Sequence, residues 1–161
     1  MTSRAKPLDP PSPLLPPDQV LDILTDVLSK LGAAGGAIGG RIGGGFAGQV
    51  GGRSGGRLGG RLGVRLTRMR GEHRTVSAPG TPESFWALHG CLAMVVLADP
   101  GRGHLAGVIG SGALNMNPAV VQALWSPRGL ELTAHACEGL IAQKTAPKAL
   151  DRLEEALIGP R

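Results

Sequence analysis

Hydrophobic spacing divides this 161-residue chain into parts with different periods. After Pro17, Asp18 is a good helix N-cap, and Val20, Leu21, Ile23, Leu24, Val27, Leu28 and Leu31 then recur at helical spacing. Asp22, Asp26 and Lys30 occupy the other face, so residues 18–31 are predicted to form an amphipathic helix with one side to bury. From Gly35 the period becomes four: GGAI-GGRI-GGGF-AGQV-GGRS-GGRL-GGRL-GVRL. The first two places are almost always Gly. The third becomes Arg at 41, 53, 57, 61 and 65, and the fourth is apolar except at Ser54. Past residue 74 the pattern turns globular. Arg74–Ala78 reads as a short strand, and Thr81-Pro82-Glu83 as the start of a helix with Phe85, Leu88, Leu92 and Val96 on one face. Asp99–Gly103 is a turn. His104–Ile109 and Ala119–Trp125 read as strands around a Gly110–Pro118 loop, and Ser126–Gly129 has type I turn residues. Leu130–Ala136 alternates, and a last helix from about Pro147 carries Ala146, Leu150, Leu153 and Leu157 as its apolar side.

The element order β-α-β-β-β-α predicts an α+β fold, a small antiparallel sheet with helices on one face, preceded by the amphipathic helix and the glycine tract. In element order alone it resembles a shortened helix-grip (START-like) domain. Four regions follow: a proline-rich disordered arm (1–17), the helix (18–31), the Gly/Arg tract (32–74) and the α+β domain (75–161). The arm holds six of the thirteen prolines, which gives it polyproline II character.

On a helix, a period of four puts each place of the repeat on its own slowly drifting stripe. Gly at i and i+4 lets two helix backbones approach closely. Through Gly35, Gly39, Gly43, Ala47, Gly51, Gly55, Gly59 and Gly63 the tract resembles the glycine-zipper segments of membrane-associated and oligomerising proteins. The resemblance implies helix packing in an oligomer or at a membrane. Energetics points the same way. Sixteen glycines between Gly32 and Gly63 cost a helix roughly 16 kcal/mol relative to alanine. The tract is therefore expected to be disordered, or helical only when packed.

Composition adds where the charge sits. The net charge is +5, and residues 32–74 alone contribute +7 through eight arginines against one glutamate. Arg41, Arg53, Arg57, Arg61, Arg65, Arg68 and Arg70, with Arg74 beyond them, suit phosphates of anionic lipids or of nucleic acid. Nucleic-acid tracts usually interleave aromatics for base stacking, whereas only Phe46 lies in this one. The longest segments without Asp, Glu, Lys or Arg, 84–98 and 103–127, are too short or too rich in turn residues for a conventional membrane span. The first residues lack the apolar core of a secretion signal, so a cytoplasmic location extending to the inner face of the membrane is expected. Arginine outnumbers lysine thirteen to four, a bias that suits a GC-rich bacterial genome.

Candidate chemistry is sparse. His89-Gly-Cys91 and His135-Ala-Cys137 repeat a His-x-Cys spacing that offers two imidazoles and two thiolates to zinc. On a helix, however, His89 and Cys91 point about 200° apart. Neither a G-x-S-x-G elbow around Ser111 nor a Walker lysine is present. Asn115, Asn117, Glu138, Gln143 and Lys144 form a polar rim at one end of the sheet. No cofactor is expected. The residues point to a non-enzymatic, membrane-associated or homo-oligomerising protein carrying a small binding domain. A nucleic-acid-binding protein and a small ligand- or zinc-binding domain are the alternatives.

Overall fold

Alternation along the chain decides which way the sheet faces. Leu130, Leu132, Ala134 and Ala136 are fully buried on one side of their strand, while Cys137 packs on the other. A computed structural model describes residues 13–111, 117–126, 129–138 and 143–158, the side chains at 39–41, 43, 45–47, 61, 63, 65–66 and 111 excepted. The elements are α1 (Pro17–Leu66), β1 (Arg68–Val76), α2 (Pro82–Gly90), β2 (Met94–Asp99), β3 (His104–Ser111), β4 (Asn117–Ser126), β5 (Gly129–Glu138) and α3 (Thr145–Ile158). The fold is α+β. Its five strands form one antiparallel sheet in the order β1-β5-β4-β3-β2, so the first strand pairs with the last, from Arg68 opposite Glu138 to Val76 opposite Leu130.

Helices cover both faces of the sheet. Phe85 and Leu88 of α2, with Ala146, Ala149, Leu150 and Leu153 of α3, pack on the face carrying Leu105, Ile109, Val121 and Leu132. The amphipathic start of α1 covers the opposite face, where Val20 and Leu24 meet Ala106, Val108 and Val120. The two helices of the β-α-β-β-β-α domain share one face, as expected. The helix over 18–31 had an apolar side to bury, and the second sheet face is what it buries it against.

Three elements depart from the sequence reading by more than two residues. The helix predicted through Val96 ends at Gly90, and Met94–Asp99 is a strand, which adds one element to the expected order. Gly90 at the last helical position and the β-branched pair Val95-Val96 account for the change. The strand expected at Arg74–Ala78 starts at Arg68 and ends at Val76. Its residues are mostly exposed, because it forms one edge of the sheet, so no buried alternation announces it. Helical backbone extends from the helix expected over 18–31 as far as Leu66.

This long helical run doubles back. A side chain placed on Gly32 would collide with the carbonyl of Gly56, one on Gly36 with that of Gly52, and one on Gly60 would lie 2.7 Å from the carbonyl oxygen of Leu28. Straight helix between Gly32 and Gly56 would separate them by roughly 36 Å. The contacts require two antiparallel arms, and the pairs are symmetric about Gly44, inside the Gly43-Gly44-Gly45 triplet. Here is the packing that a glycine-rich helix needs, supplied by the same chain. The second arm ends where Thr67 caps it, its hydroxyl donating to the Val64 carbonyl at 3.0 Å, and Arg68 then enters the sheet.

Candidate functional site

The hairpin presents three chemically different stripes. The second-place glycines Gly36, Gly52, Gly56 and Gly60, with Gly32, form its inside, where Gly56 also approaches Ala33 and Gly60 approaches Ser29. Of the first-place residues, Gly35, Gly51, Gly55 and Gly59 have open space where a side chain would sit. One position along a helix is a rotation of 100°, which is why the two glycine stripes have different neighbours. Gly39, Gly43, Ala47 and Gly63 belong to the helical backbone, but their side-chain positions lie outside the described residues.

Fourth-place residues stand two positions, about 200°, from the inner stripe and therefore point outward. Ile38 is 65% exposed, Ile42 85%, Val50 54%, Leu58 62% and Leu62 55%. Singly exposed aliphatics are ordinary, but the outward sides of two antiparallel arms face opposite ways: Ile38 and Ile42 lie on one, and Val50, Leu58 and Leu62 form an apolar stripe on the other. Arg53 and Arg57 stand beside it, exposed and without an acidic partner among the described residues. With Val50 and Ser54 they line an open recess along one face of the second arm, at the i, i+3, i+4, i+7 positions. The side chains of Arg41, Arg61, Arg65 and Phe46 lie outside the described residues.

The remaining arginines belong to β1 and are partly neutralised. Arg70 Nε lies 3.8 Å from Glu138. The Glu138 carboxylate is buried and accepts the backbone N–H of Thr145 at 2.7 Å, which ties it to the start of α3. Arg74 donates to Asp151 at 2.7 Å and to Glu154 at 3.1 Å. The Asp151 hydrogen bond raises its already high pKa, so Arg74 is a fixed cation joining β1 to α3. Arg68 is exposed at the start of the strand, opposite Glu138 in register. Among the described residues the basic stripe thus divides into Arg53, Arg57 and Arg68, which have no acidic partner, and Arg70 and Arg74, which are held by acids.

The two His-x-Cys pairs are not brought together. Cys91 packs at the α2–α3 face of the sheet, and its thiol donates to the Ala87 carbonyl at 3.4 Å. Cys137 packs at the α1 face. Burial pushes both thiols up and pushes the His135 imidazole down, all three changes disfavouring the charged form. His89 lies edge-on to Trp86, with ring centres 5.1 Å apart. Among the described residues no three His, Cys, Asp or Glu side chains gather as metal ligands. In the polar rim, Glu138 is taken by Thr145, Gln143 and Lys144 are exposed, and Asn115 lies outside the described residues. Asn117 opens β4.

One feature escaped the sequence reading. Phe85 and Trp125 meet with ring centres 5.8 Å apart and wall a cleft of about 300 Å³ at one end of the sheet. Forty residues separate them in sequence, so only the fold brings them together. No helix among the described residues is long and apolar enough to cross a membrane. Comparison of the chain with protein-family models, curated proteins and solved structures finds no match.

Proposed function

We propose that the protein is a non-enzymatic module that attaches to an anionic membrane surface through the outer side of its glycine hairpin, carrying the α+β domain with it. The observation that carries this reading is the exposed aliphatic stripe Val50, Leu58 and Leu62 on the second arm beside the exposed Arg53 and Arg57. Burying the exposed parts of those three side chains is worth roughly 3–5 kcal/mol. Arginines at the rim add attraction to lipid phosphates, and that part weakens with salt. The inner glycines are already occupied by the opposite arm, so the hairpin docks as a preformed unit and lies in the headgroup region without crossing the bilayer.

Self-association is the second reading, favoured by the open first-place stripe at Gly35, Gly51, Gly55 and Gly59. Vesicle flotation and sedimentation together separate the two. Co-flotation with vesicles of anionic lipid, reduced at high salt and absent with zwitterionic lipid, supports membrane attachment. A concentration-dependent oligomer without flotation supports self-association. A steep, salt-sensitive gel shift with single-stranded RNA and no flotation would instead favour nucleic acid.

A further inference from the structure

The four-residue repeat departs from its aliphatic place once. Every other repeat ends in Ile, Phe, Val or Leu, whereas the repeat that starts at Gly51 ends in Ser54. Ser54 lies in the open recess of about 290 Å³ that it shares with Val50, Arg53 and Arg57. A leucine-sized side chain at that place would stand beside both arginines and fill the space between them. Serine leaves it open and polar. Its hydroxyl donates to the Val50 carbonyl at 3.3 Å and, being exposed, can turn outward to a bound oxygen. Arg53 and Arg57 are i, i+4 neighbours on one helix face, with Cβ atoms about 5–6 Å apart. Like charges at that spacing weaken a helix, and among the described residues no acidic side chain relieves them. An anion held between them would.

We propose that the recess of Arg53, Ser54 and Arg57 binds a phosphomonoester in preference to a phosphodiester. A guanidinium is planar, and its paired N–H donors match one O–P–O edge of a phosphate. Two such forks on one phosphorus need two edges. A phosphodiester has two unesterified oxygens and therefore a single edge, so the second arginine can meet it only as a point charge. A phosphomonoester has three free oxygens and three edges, and it carries a charge of about −1.5 to −2 at pH 7. Each arginine then takes its own edge, and the Ser54 hydroxyl donates to the third oxygen's side. The internal phosphates of nucleic acid are diesters and fit less well for the same reason. The source of the phosphate rests on the membrane-surface reading above. Third-place arginines stand one position, 100°, from the aliphatic stripe, so burying Leu58 and Leu62 at the acyl boundary sets the recess at headgroup level. The lipid that fits is one whose headgroup is a bare phosphate.

The test floats the full chain with phosphatidylcholine vesicles that carry either phosphatidic acid or phosphatidylglycerol, matched for surface charge. Binding to phosphatidic acid is expected to be several-fold tighter. The R53K/R57K variant keeps both charges and loses both forks, so it should bind the two vesicles equally. Ser54→Leu completes the aliphatic stripe, and it should float on phosphatidylglycerol at least as well as the native chain while losing the preference. Calorimetric titration with glycerol 3-phosphate identifies the source. No heat, with the preference seen on vesicles, assigns the recess to a lipid headgroup; heat that R53K/R57K abolishes assigns it to a soluble monoester. Equal flotation on the two anionic vesicles without titration heat overturns the proposal and leaves the membrane reading standing. So does a preference that R53K/R57K retains. Titration heat without flotation keeps the recess and removes the membrane reading, and neither heat nor flotation overturns both.

Discussion

Gly32 and Gly56 occupy the space that each other's side chain would need. A Cβ on Gly32 would overlap the Gly56 carbonyl, and one on Gly56 would lie 2.6 Å from the carbonyl carbon of Gly32. The two arms of the hairpin meet backbone to backbone, and packing there depends on dispersion contacts that any added methyl would replace with a clash.

Alanine substitution should therefore act with opposite sign on the two glycine stripes. Gly36→Ala or Gly56→Ala pushes against a peptide carbonyl that cannot rotate away, and overpacking of this kind costs about 1–3 kcal/mol. Gly35→Ala or Gly55→Ala meets nothing and gains up to ~1 kcal/mol of helix propensity. Thermal unfolding followed by helical circular dichroism checks both. Equal effects on the two stripes would contradict the packed inner face.

Replacing Leu58 and Leu62 together with glutamate should abolish vesicle flotation while leaving the circular dichroism spectrum unchanged, because both side chains are more than half exposed. Arg53→Gln with Arg57→Gln should retain part of the binding and lose most of its salt dependence. Full flotation by the Leu58/Leu62 variant would remove the membrane reading.

Arg74→Ala should destabilise the fold by about 1–2 kcal/mol. It removes the hydrogen-bonded pairs to Asp151 and Glu154 and the tie between an edge strand and α3. The same change at exposed Arg68, made as a control, should leave the urea midpoint almost unmoved.

Stability should fall as the pH drops below 6.5, the ordinary value of the His135 imidazole before burial lowers it. In that range the unfolded chain takes up a proton that the folded chain excludes, so unfolding gains free energy until the folded pKa is passed. From about one unit above 6.5 both states are neutral and the site contributes no slope. Denaturant titrations of wild type and His135→Gln between pH 5 and 8 check this. The variant should show the flatter profile.

Much of the fold was legible where one face of an element is buried. The α1 start, β3, β4, β5 and α3 all follow from spacing that the structure keeps. Where burial stops, so does the signal. Residues 68–73 look like more of the basic tract because an edge strand with exposed Arg68, Met69 and Arg70 has no apolar alternation to show. Val96 fits the helical spacing of Phe85, Leu88 and Leu92 by coincidence, although it follows Gly90 and lies in a β-branched run. The four-residue repeat revealed two glycine stripes but not which one packs, since only the reversal near Gly44 brings Gly36 to Gly52. The Trp125 cleft was invisible for the same reason: its walls come from three separate segments.

Mirror symmetry about Gly44, combined with a repeat of four, makes the length of the hairpin a free variable. Adding one repeat to each arm returns every glycine to a glycine and every aliphatic to the outer side, while the tip advances by about 6 Å. Each later pair then shifts as a block, so the join to Arg68 and the seat of Val20 and Leu24 on the sheet are untouched. Reach can thus be lengthened or trimmed in whole repeats without redesigning the domain that carries it.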